Sequence, residues 1–289
     1  MTHSRRDITA LLEEHGLAPR RAFGQNFVAD PNTVRRIARL ANVSSKDHVI
    51  EIGAGLGSLT LALAETGAKI TAIEVDHGVA PVLRHVVRDL PNVTVVEGDA
   101  RELDWDRLAP DHGPDHGPDH GPDHEPGAIV VANLPYNVAT PLVADLLDDV
   151  PGVHRIVVMV QKEVAQRLAA QPGSSDYGAV SVKVAYWGTA RILGDVPPTV
   201  FVPRPKVTSS IIEVVRHDRP AVDVDREILF SLVRAAFQQR RKMLRRSLAD
   251  RVEPAMFAAA GVSPEARPEE LDVHAWGRLT TAVCAGARA

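Results

Sequence analysis

The stretch Glu51-Ile52-Gly53-Ala54-Gly55-Leu56-Gly57 places three glycines at alternate positions after an apolar run. Glycines let the backbone approach a ligand closely, and a helix that follows offers free N–H groups and the positive end of its dipole. The spacing is G-x-G-x-G, and Ser58 stands where the dinucleotide fingerprint G-x-G-x-x-G has its last glycine. Alone, such a turn is a weak sign of a nucleoside cofactor. Two carboxylates narrow the chemistry. Glu74 falls 19 residues after Gly55, where a strand-end acid can accept from both ribose hydroxyls. Asp99, in Glu97-Gly98-Asp99-Ala100, follows the next apolar run and is placed to meet the adenine ring of the same ligand. Either acid alone reads as readily as a solvated strand-end residue; with the glycine turn they delimit one crevice.

A second chemical corner is Asn133-Leu134-Pro135-Tyr136, at the end of another apolar run. Asn-x-Pro is a common turn. Here it sits beside the expected crevice, where an Asn carboxamide and a proline-constrained backbone carbonyl both accept from an exocyclic amine. Tyr136 offers a face for stacking a base. The four histidines His112, His116, His120 and His124 suggest metal binding only superficially, because a Pro-Asp-His-Gly tandem repeat fixes no ligand geometry. No metal site is expected. The single cysteine, Cys284, lies in an Ala-rich stretch and reads as a small buried hydrophobe rather than a nucleophile.

These residues need a scaffold. Asp30-Pro31 is a helix start, N-cap then Pro at the first helical position, leading into a helix over 32–40. Short apolar strands at 48–52, 69–75, 93–96, 128–132 and 156–160 alternate with helices at 59–64 and 79–90. That alternation predicts an α/β fold with a mostly parallel sheet covered on both faces. Two later strands are expected at 190–193 and 207–215, making seven. Beyond Pro220 the pattern is helical, over 225–248, 254–260 and 268–285. The boundary therefore falls near Pro220, giving domains 1–219 and 220–289. Residues 110–127 carry the tandem repeat; half of them are Pro or Gly and none is a large apolar residue, so a disordered insertion is expected.

The chain has 289 residues, 45% apolar and 24% charged, which excludes a wholly disordered or fibrous chain. No run approaches the ~18 apolar residues of a membrane span, and the first residues lack the apolar core of a secretory signal. A cytoplasmic protein is expected. The net charge of −4 hides a local excess of cations: residues 234–246 hold six basic residues and no acidic one. Such a run reads as a solvated helix face or as a phosphate contact, and the lack of counter-charge favours the second.

The Asn133-Leu134-Pro135-Tyr136 turn, after Gly53-x-Gly55-x-Gly57, resembles the RNA adenine-N6 methyltransferases that use S-adenosylmethionine. Four further stretches resemble one branch, the 16S ribosomal RNA adenine dimethyltransferases. They are Phe23-Gly24-Gln25-Asn26-Phe27-Val28, residues 160–168, Phe201-Val202-Pro203-Arg204-Pro205-Lys206-Val207, and residues 237–245 with Arg240-Arg241-Lys242 and Arg245. The likeness covers about residues 20 to 285 except the tandem insertion, which departs from the family pattern; Val28 also replaces the more usual Leu.

The resemblance implies a Rossmann-like class I methyltransferase domain with a last antiparallel strand, and a small all-helical C-terminal domain. It implies that Asn26 and Val28 close over the cofactor, Gly53 lies under its methionine part, Glu74 holds the ribose and Asp99 meets the adenine. Asn133 would stand between cofactor and target, with Leu134 and Pro135 completing the corner, and Tyr136 and Phe201 would stack on the target adenine. Without the family, Phe201 in its Pro-rich loop reads as a core plug, and Phe27 packs as readily as it stacks. Arg240, Arg241, Lys242 and Arg245 would contact RNA. The implied substrate is 16S ribosomal RNA in the 30S subunit or its precursor, the implied setting is ribosome biogenesis, and a monomer is expected. The rivals are a 23S RNA methyltransferase, a non-catalytic RNA-binding or transcription-factor relative, and a nicotinamide-dependent dehydrogenase, which Ser58 and the Asn-Leu-Pro-Tyr turn disfavour.

Overall fold

A computed structural model describes residues 2–20, 24–110 and 127–286; the tandem repeat lies outside them except for its end residues Pro110 and Gly127. The chain divides into two compact units, Met1–Ala165 with Arg191–Arg216, and Gln166–Ala190 with His217–Ala289. The second unit thus also takes in residues ahead of the boundary expected near Pro220. No helix among the described residues is long and apolar enough to cross a membrane.

The first unit opens with α1 (Arg5–Glu14), β1 (Phe27–Val28) and α2 (Pro31–Ala41). The elements β2 (His48–Ile52), α3 (Ser58–Ala64), β3 (Lys69–Glu74), α4 (Ala80–Val87) and β4 (Val93–Glu97) then alternate. After α5 (Trp105–Leu108) come β5 (Ala128–Asn133), α6 (Ala139–Asp149) and β6 (Val153–Gln161). The helices α7 (Lys162–Leu168) and α8 (Ala179–Trp187) precede β7 (Gly188–Val196), β8 (Phe201–Val202) and β9 (Ser209–Arg216).

Seven strands form one sheet in the order β4-β3-β2-β5-β6-β9-β7. The strands β4, β3, β2, β5 and β6 run parallel to their neighbours, and β9 runs antiparallel to β6. Parallel strands need crossover helices, so both faces of the central strands are covered: Val49, Ile50, Ile70, Val130 and Val157 have no accessible surface. The chain winds outward from β2 to β4, then returns to build the other half from β5. Between β2 and β5 the turns leaving the strand ends diverge, and a crevice opens there.

Local chemistry sets the helices. Asp30 caps α2 by accepting from the Asn32 and Thr33 N–H groups, Pro31 takes the first helical position, and Asn42 ends the helix in the left-handed region. The buried stripe Val34, Ile37, Ala38 and Ala41 faces the core. Helix α1 carries a capping box between Ser4 and Asp7 and buries Ile8 and Leu12.

The two-residue strands β1 and β8 pair antiparallel, Phe27 opposite Val202 and Val28 opposite Phe201. Phe201 has no accessible surface and packs in the core with Val28, Val34, Val196 and Ile211.

The second unit adds α9 (Arg226–Gln238), α10 (Leu244–Ser247), α11 (Pro254–Ala260) and α12 (Val273–Gly286). With α8 they enclose a separate core around Trp276, Tyr177, Leu229, Val233 and Phe257. The helix expected over 225–248 is broken at 239–243. The Leu244 and Arg245 N–H groups leave the helical pattern to bond the Ala266 and Pro264 carbonyls, and three consecutive cations gain nothing from stacking one turn below Arg245 and Arg246. The last helix starts later than expected, at Val273, because Asp272 caps it through the Ala275 N–H; Pro268–Glu270 forms a single 3-10 turn.

Because the Phe201 ring fills the core, Phe201→Ala should lower the unfolding free energy by about 3–5 kcal/mol in denaturant melts. A change below about 1 kcal/mol would place the ring outside the core.

Candidate functional site

The turn after β2 is tied down by the next strand. The Gly53 and Ala54 N–H groups both donate to the Ile73 carbonyl, at 2.9 and 3.0 Å. Gly55 donates to Glu74 Oε2 at 2.7 Å, and the Asp76 N–H donates to Glu74 Oε1 at 2.9 Å. Gly55 has φ +59°, and a Cβ there would lie 3.0 Å from the Phe27 ring. Both the backbone conformation and the close approach therefore require glycine. Phe27 is buried against this turn with Ile8, Leu12 and Leu56, and it also lines the first cavity described below.

A second turn, after β5, closes the crevice. Leu134 N–H donates to the Met159 carbonyl at 3.1 Å, and the Val138 and Ala139 N–H groups converge on the Pro135 carbonyl. Among the described residues no hydrogen bond is made to the Leu134 carbonyl. The Asn133 Nδ2 donates to the Asn26 carbonyl at 3.0 Å. That bond assigns the carboxamide's orientation: the amide end is spent on the backbone, and the oxygen is the end left for a ligand.

The segment before β1 spans both turns. Asn26 Nδ2 donates to the Gly24 carbonyl at 3.0 Å, and Gln25 Nε2 donates to buried Asp76 at 2.9 Å. Gly24, at φ +61°, presses on the Pro135 side chain so closely that a Cβ would come within 3.0 Å of it.

The structure brings most of the sequence-predicted residues to one cavity: Asn26, Val28, Gly53 and Glu74 on one side, Asn133 to Tyr136 on the other. Asp99 lines an adjoining cavity that shares Gly53, Val75 and Pro135 with the first. Its carboxylate is held by Arg101 through contacts of 3.1 and 2.6 Å, which keep it below the ordinary carboxylate range. Burial raises the Tyr136 phenol, while a hydrogen bond with Ser209 at 2.7 Å opposes the shift. The ring is neutral at physiological pH.

Phe201 departs from expectation. Its enclosed ring lines neither cavity and packs in the core, where the pairing of β8 with β1 turns it. Arg240 departs in part. It donates to the Ser175 carbonyl at 2.8 Å and lies 3.7 Å from Glu269, so it staples the helical unit. Arg241 and Lys242 are exposed on the turn between α9 and α10, and Arg245 is exposed with Glu265 at 3.8 Å. Among the described residues no cluster of three or more His, Cys, Asp or Glu side chains is arranged to hold a metal.

Sequence reasoning gave no role to Glu51, which is 2% exposed, lines the first cavity and has Oε2 without a hydrogen-bond partner. Ser58 Oγ, in the same lining, is also unpartnered. The signal was present in the sequence, since an acid inside an apolar parallel strand is out of pattern. Burial pushes the Glu51 carboxyl up to about 8, with the nearby Glu74 adding to the rise. Burial raises Glu74 as well, while the Asp76 and Gly55 N–H groups oppose the shift.

Between the ordinary value of 4.5 and about 8, folded Glu51 keeps a proton that the unfolded chain has lost. Stability then falls as pH rises through that window and levels off above it. Glu51→Gln removes this titration. In denaturant melts of the ligand-free protein, the stability gap between variant and wild type should widen with rising pH, approaching about 1.4 kcal/mol per pH unit. Parallel stability curves would contradict the buried, protonated state.

Comparison with known proteins identifies the family. Residues 16–282 match the model of the ribosomal RNA adenine dimethylase family. The chain is 42% identical to the ribosomal RNA small subunit methyltransferase A of Bifidobacterium longum subsp. infantis, over 96% of this chain and 92% of that protein. It is 45% identical to the protein of the same name from Magnetococcus marinus, over 86% and 85%. Among solved structures, the 23S rRNA methyltransferase ErmE matches with a TM-score of 0.66 at 25% identity, over 90% of this chain and all of that one. A dimethyladenosine transferase from Plasmodium falciparum matches with a TM-score of 0.65 at 23% identity, over 86% and 94%, which speaks for the fold. With its glycine turn, its Asn-Leu-Pro-Tyr corner and this match along nearly its whole length, the chain belongs to the ribosomal RNA adenine dimethylase family.

Proposed function

We propose that this protein methylates N6 of two adjacent adenosines near the 3′ end of 16S ribosomal RNA, two methyl groups each, in the small ribosomal subunit or its precursor. The observation that carries the reading is the Asn133 amide locked on the Asn26 carbonyl, which leaves the carboxamide oxygen as the end that accepts from a ligand. The sequence kinship to the small-subunit enzymes, at 42–45% identity, favours 16S over 23S RNA. The ribosomal substrate supports a cytoplasmic setting and a part in ribosome biogenesis, with the protein acting as a monomer.

The residues present fit S-adenosylmethionine. The bare glycine turn leaves room where side chains would stand, and the unpartnered Glu51 Oε2 and Ser58 Oγ are polar atoms that lack a protein partner. Asn26, Val28, Gly53 and Glu74 would hold the methionine and ribose parts, and Asp99 the adenine. When bound, the cofactor supplies a methyl carbon already activated by its sulfonium sulfur.

The chain's own contribution is positioning. Adenine N6 is a poor nucleophile because its lone pair is delocalised into the ring. The Asn133 carboxamide oxygen and the Leu134 carbonyl would each accept one N6 hydrogen, favouring a pyramidal nitrogen with a localised lone pair. Pro135 rigidifies the turn that carries both acceptors. The target base must leave its stack, and the Tyr136 ring would offset part of that cost by stacking against it. No covalent enzyme intermediate is needed, and Cys284, half-buried on α12 rather than buried as expected, has no part in the transfer. In the helical unit, Arg241, Lys242 and Arg245 would contact RNA phosphates, while Arg240 braces the turn that presents them.

Incubation with labelled S-adenosylmethionine and separate unmethylated 30S and 50S particles tests the assignment. Label should enter 30S RNA only, and Asn133→Ala should abolish transfer while cofactor affinity stays within about tenfold. Label in 50S particles, or normal turnover by the variant, would contradict it. Replacing Arg241 and Lys242 together with Ala should weaken 30S binding and reduce the salt dependence of log K by about two; an unchanged slope would remove them from the RNA contact.

A further inference from the structure

Ser209, the first residue of β9, is a polar side chain at a position with no accessible surface. Among the described residues its hydroxyl bonds to one group, the Tyr136 hydroxyl, at 2.7 Å. A buried hydroxyl is costly unless bonded, so the two groups satisfy each other. The consequence for Tyr136 is mechanical. Its ring stands on a turn and is half-buried, with exposed Asn137 following it. Two side-chain torsions set the plane of the ring, and anchoring the far end of the ring restricts both.

The anchor itself is rigid. Ser209 pairs with Gln161 in the β6–β9 ladder, and the Lys162 N–H donates to the Thr208 carbonyl at 3.0 Å beside it. On the opposite face of the strand, Ser210 Oγ donates to Asp195 Oδ1 at 2.7 Å, and Lys162 Nζ lies 2.6 Å from Asp195 Oδ2. Both faces of the strand end are thereby pinned, and the Tyr136 ring lines the cavity that holds Asn133.

We propose that Ser209 is a positioning residue for methyl transfer: its buried hydroxyl holds the Tyr136 ring in the plane that receives the extruded adenine. The inference rests on the adenine-N6 reading above. A ring fixed before the base arrives loses less freedom when the base stacks. Removing the anchor therefore affects capture and turnover of RNA and leaves cofactor binding alone.

The test is a double-mutant cycle on unmethylated 30S particles with Ser209→Ala, Tyr136→Phe and both together, alongside cofactor affinity by calorimetry and a thermal melt of each variant. Each single change should lower kcat/KM for RNA by about two- to tenfold, the range spanned by one net hydrogen bond. Cofactor affinity should stay within about twofold of wild type, and the double variant should be no worse than the worse single one. Full turnover in either variant, additive losses, or an equal fall in cofactor affinity would overturn the inference. If Ser209→Ala does not fold, Tyr136→Phe decides alone, since it breaks the same bond and keeps the ring. An active wild type with unaffected variants refutes only the role of Ser209, whereas a wild type inactive on both 30S and 50S particles refutes the functional reading and this one with it.

Discussion

The Asn133 side chain spans 3.0 Å to the carbonyl of Asn26, and this bond gives the crevice its chemical polarity. A carboxamide free to rotate presents a donor or an acceptor at random; one whose amide is committed presents an acceptor. The commitment depends on the placement of residues 24–28, which in turn depends on several independent constraints. Gln25 is held by buried Asp76, Phe27 packs on Gly55, and Val28 is paired with Phe201 across the short β1–β8 ladder. Each links the segment to a different part of the first unit. Glu74 adds the last restraint by accepting the Gly55 N–H on one oxygen and the Asp76 N–H on the other. The carboxylate thus shapes the glycine turn before any ribose reaches it, and its remaining lone pairs are what a ligand would use.

The parallel half of the fold was legible in the sequence because its signals are local and mutually consistent. Asp30-Pro31 marks a helix start by capping chemistry alone, and the apolar runs that became β2, β3, β4, β5 and β6 are too short for helices and too continuous for exposed strands. The strands' order was not legible, since a crossover leaves no trace in spacing. Helix α1 escaped notice although Ser4 and Asp7 form a capping box and Ile8 and Leu12 share one face; its signal is three residues deep and easily passed over. The break at 239–243 was invisible for a different reason. It is made by carbonyls of Pro264 and Ala266, some twenty positions away in the chain, and no local propensity reports on them.

The site divides along the same line. Asn133, Tyr136, Gly53 and Glu74 announce themselves by residue type at strand ends. Phe201 carries an equally suggestive motif, yet a two-residue strand pairing turns its ring inward. Arg240 sits in a run of cations and is nonetheless spent on the Ser175 carbonyl and Glu269. In both cases residue type is compatible with two roles, and only tertiary partners choose between them. Glu51 and Ser209 are the converse: polar side chains in apolar strands, out of pattern for Glu51 but with no motif to give either a role, whose burial places them at the crevice and at the Tyr136 hydroxyl.

A crystal structure of the protein with S-adenosylmethionine and an adenosine-containing 16S fragment measures the central arrangement directly. The account predicts the adenine amine within hydrogen-bond distance of Asn133 Oδ1 and the Leu134 carbonyl, the sulfonium methyl about 3–3.5 Å from N6, and the Asn133 amide still on the Asn26 carbonyl. A carboxamide turned to offer its amide to the base, or a cofactor seated away from the Asn-Leu-Pro-Tyr corner, would contradict it.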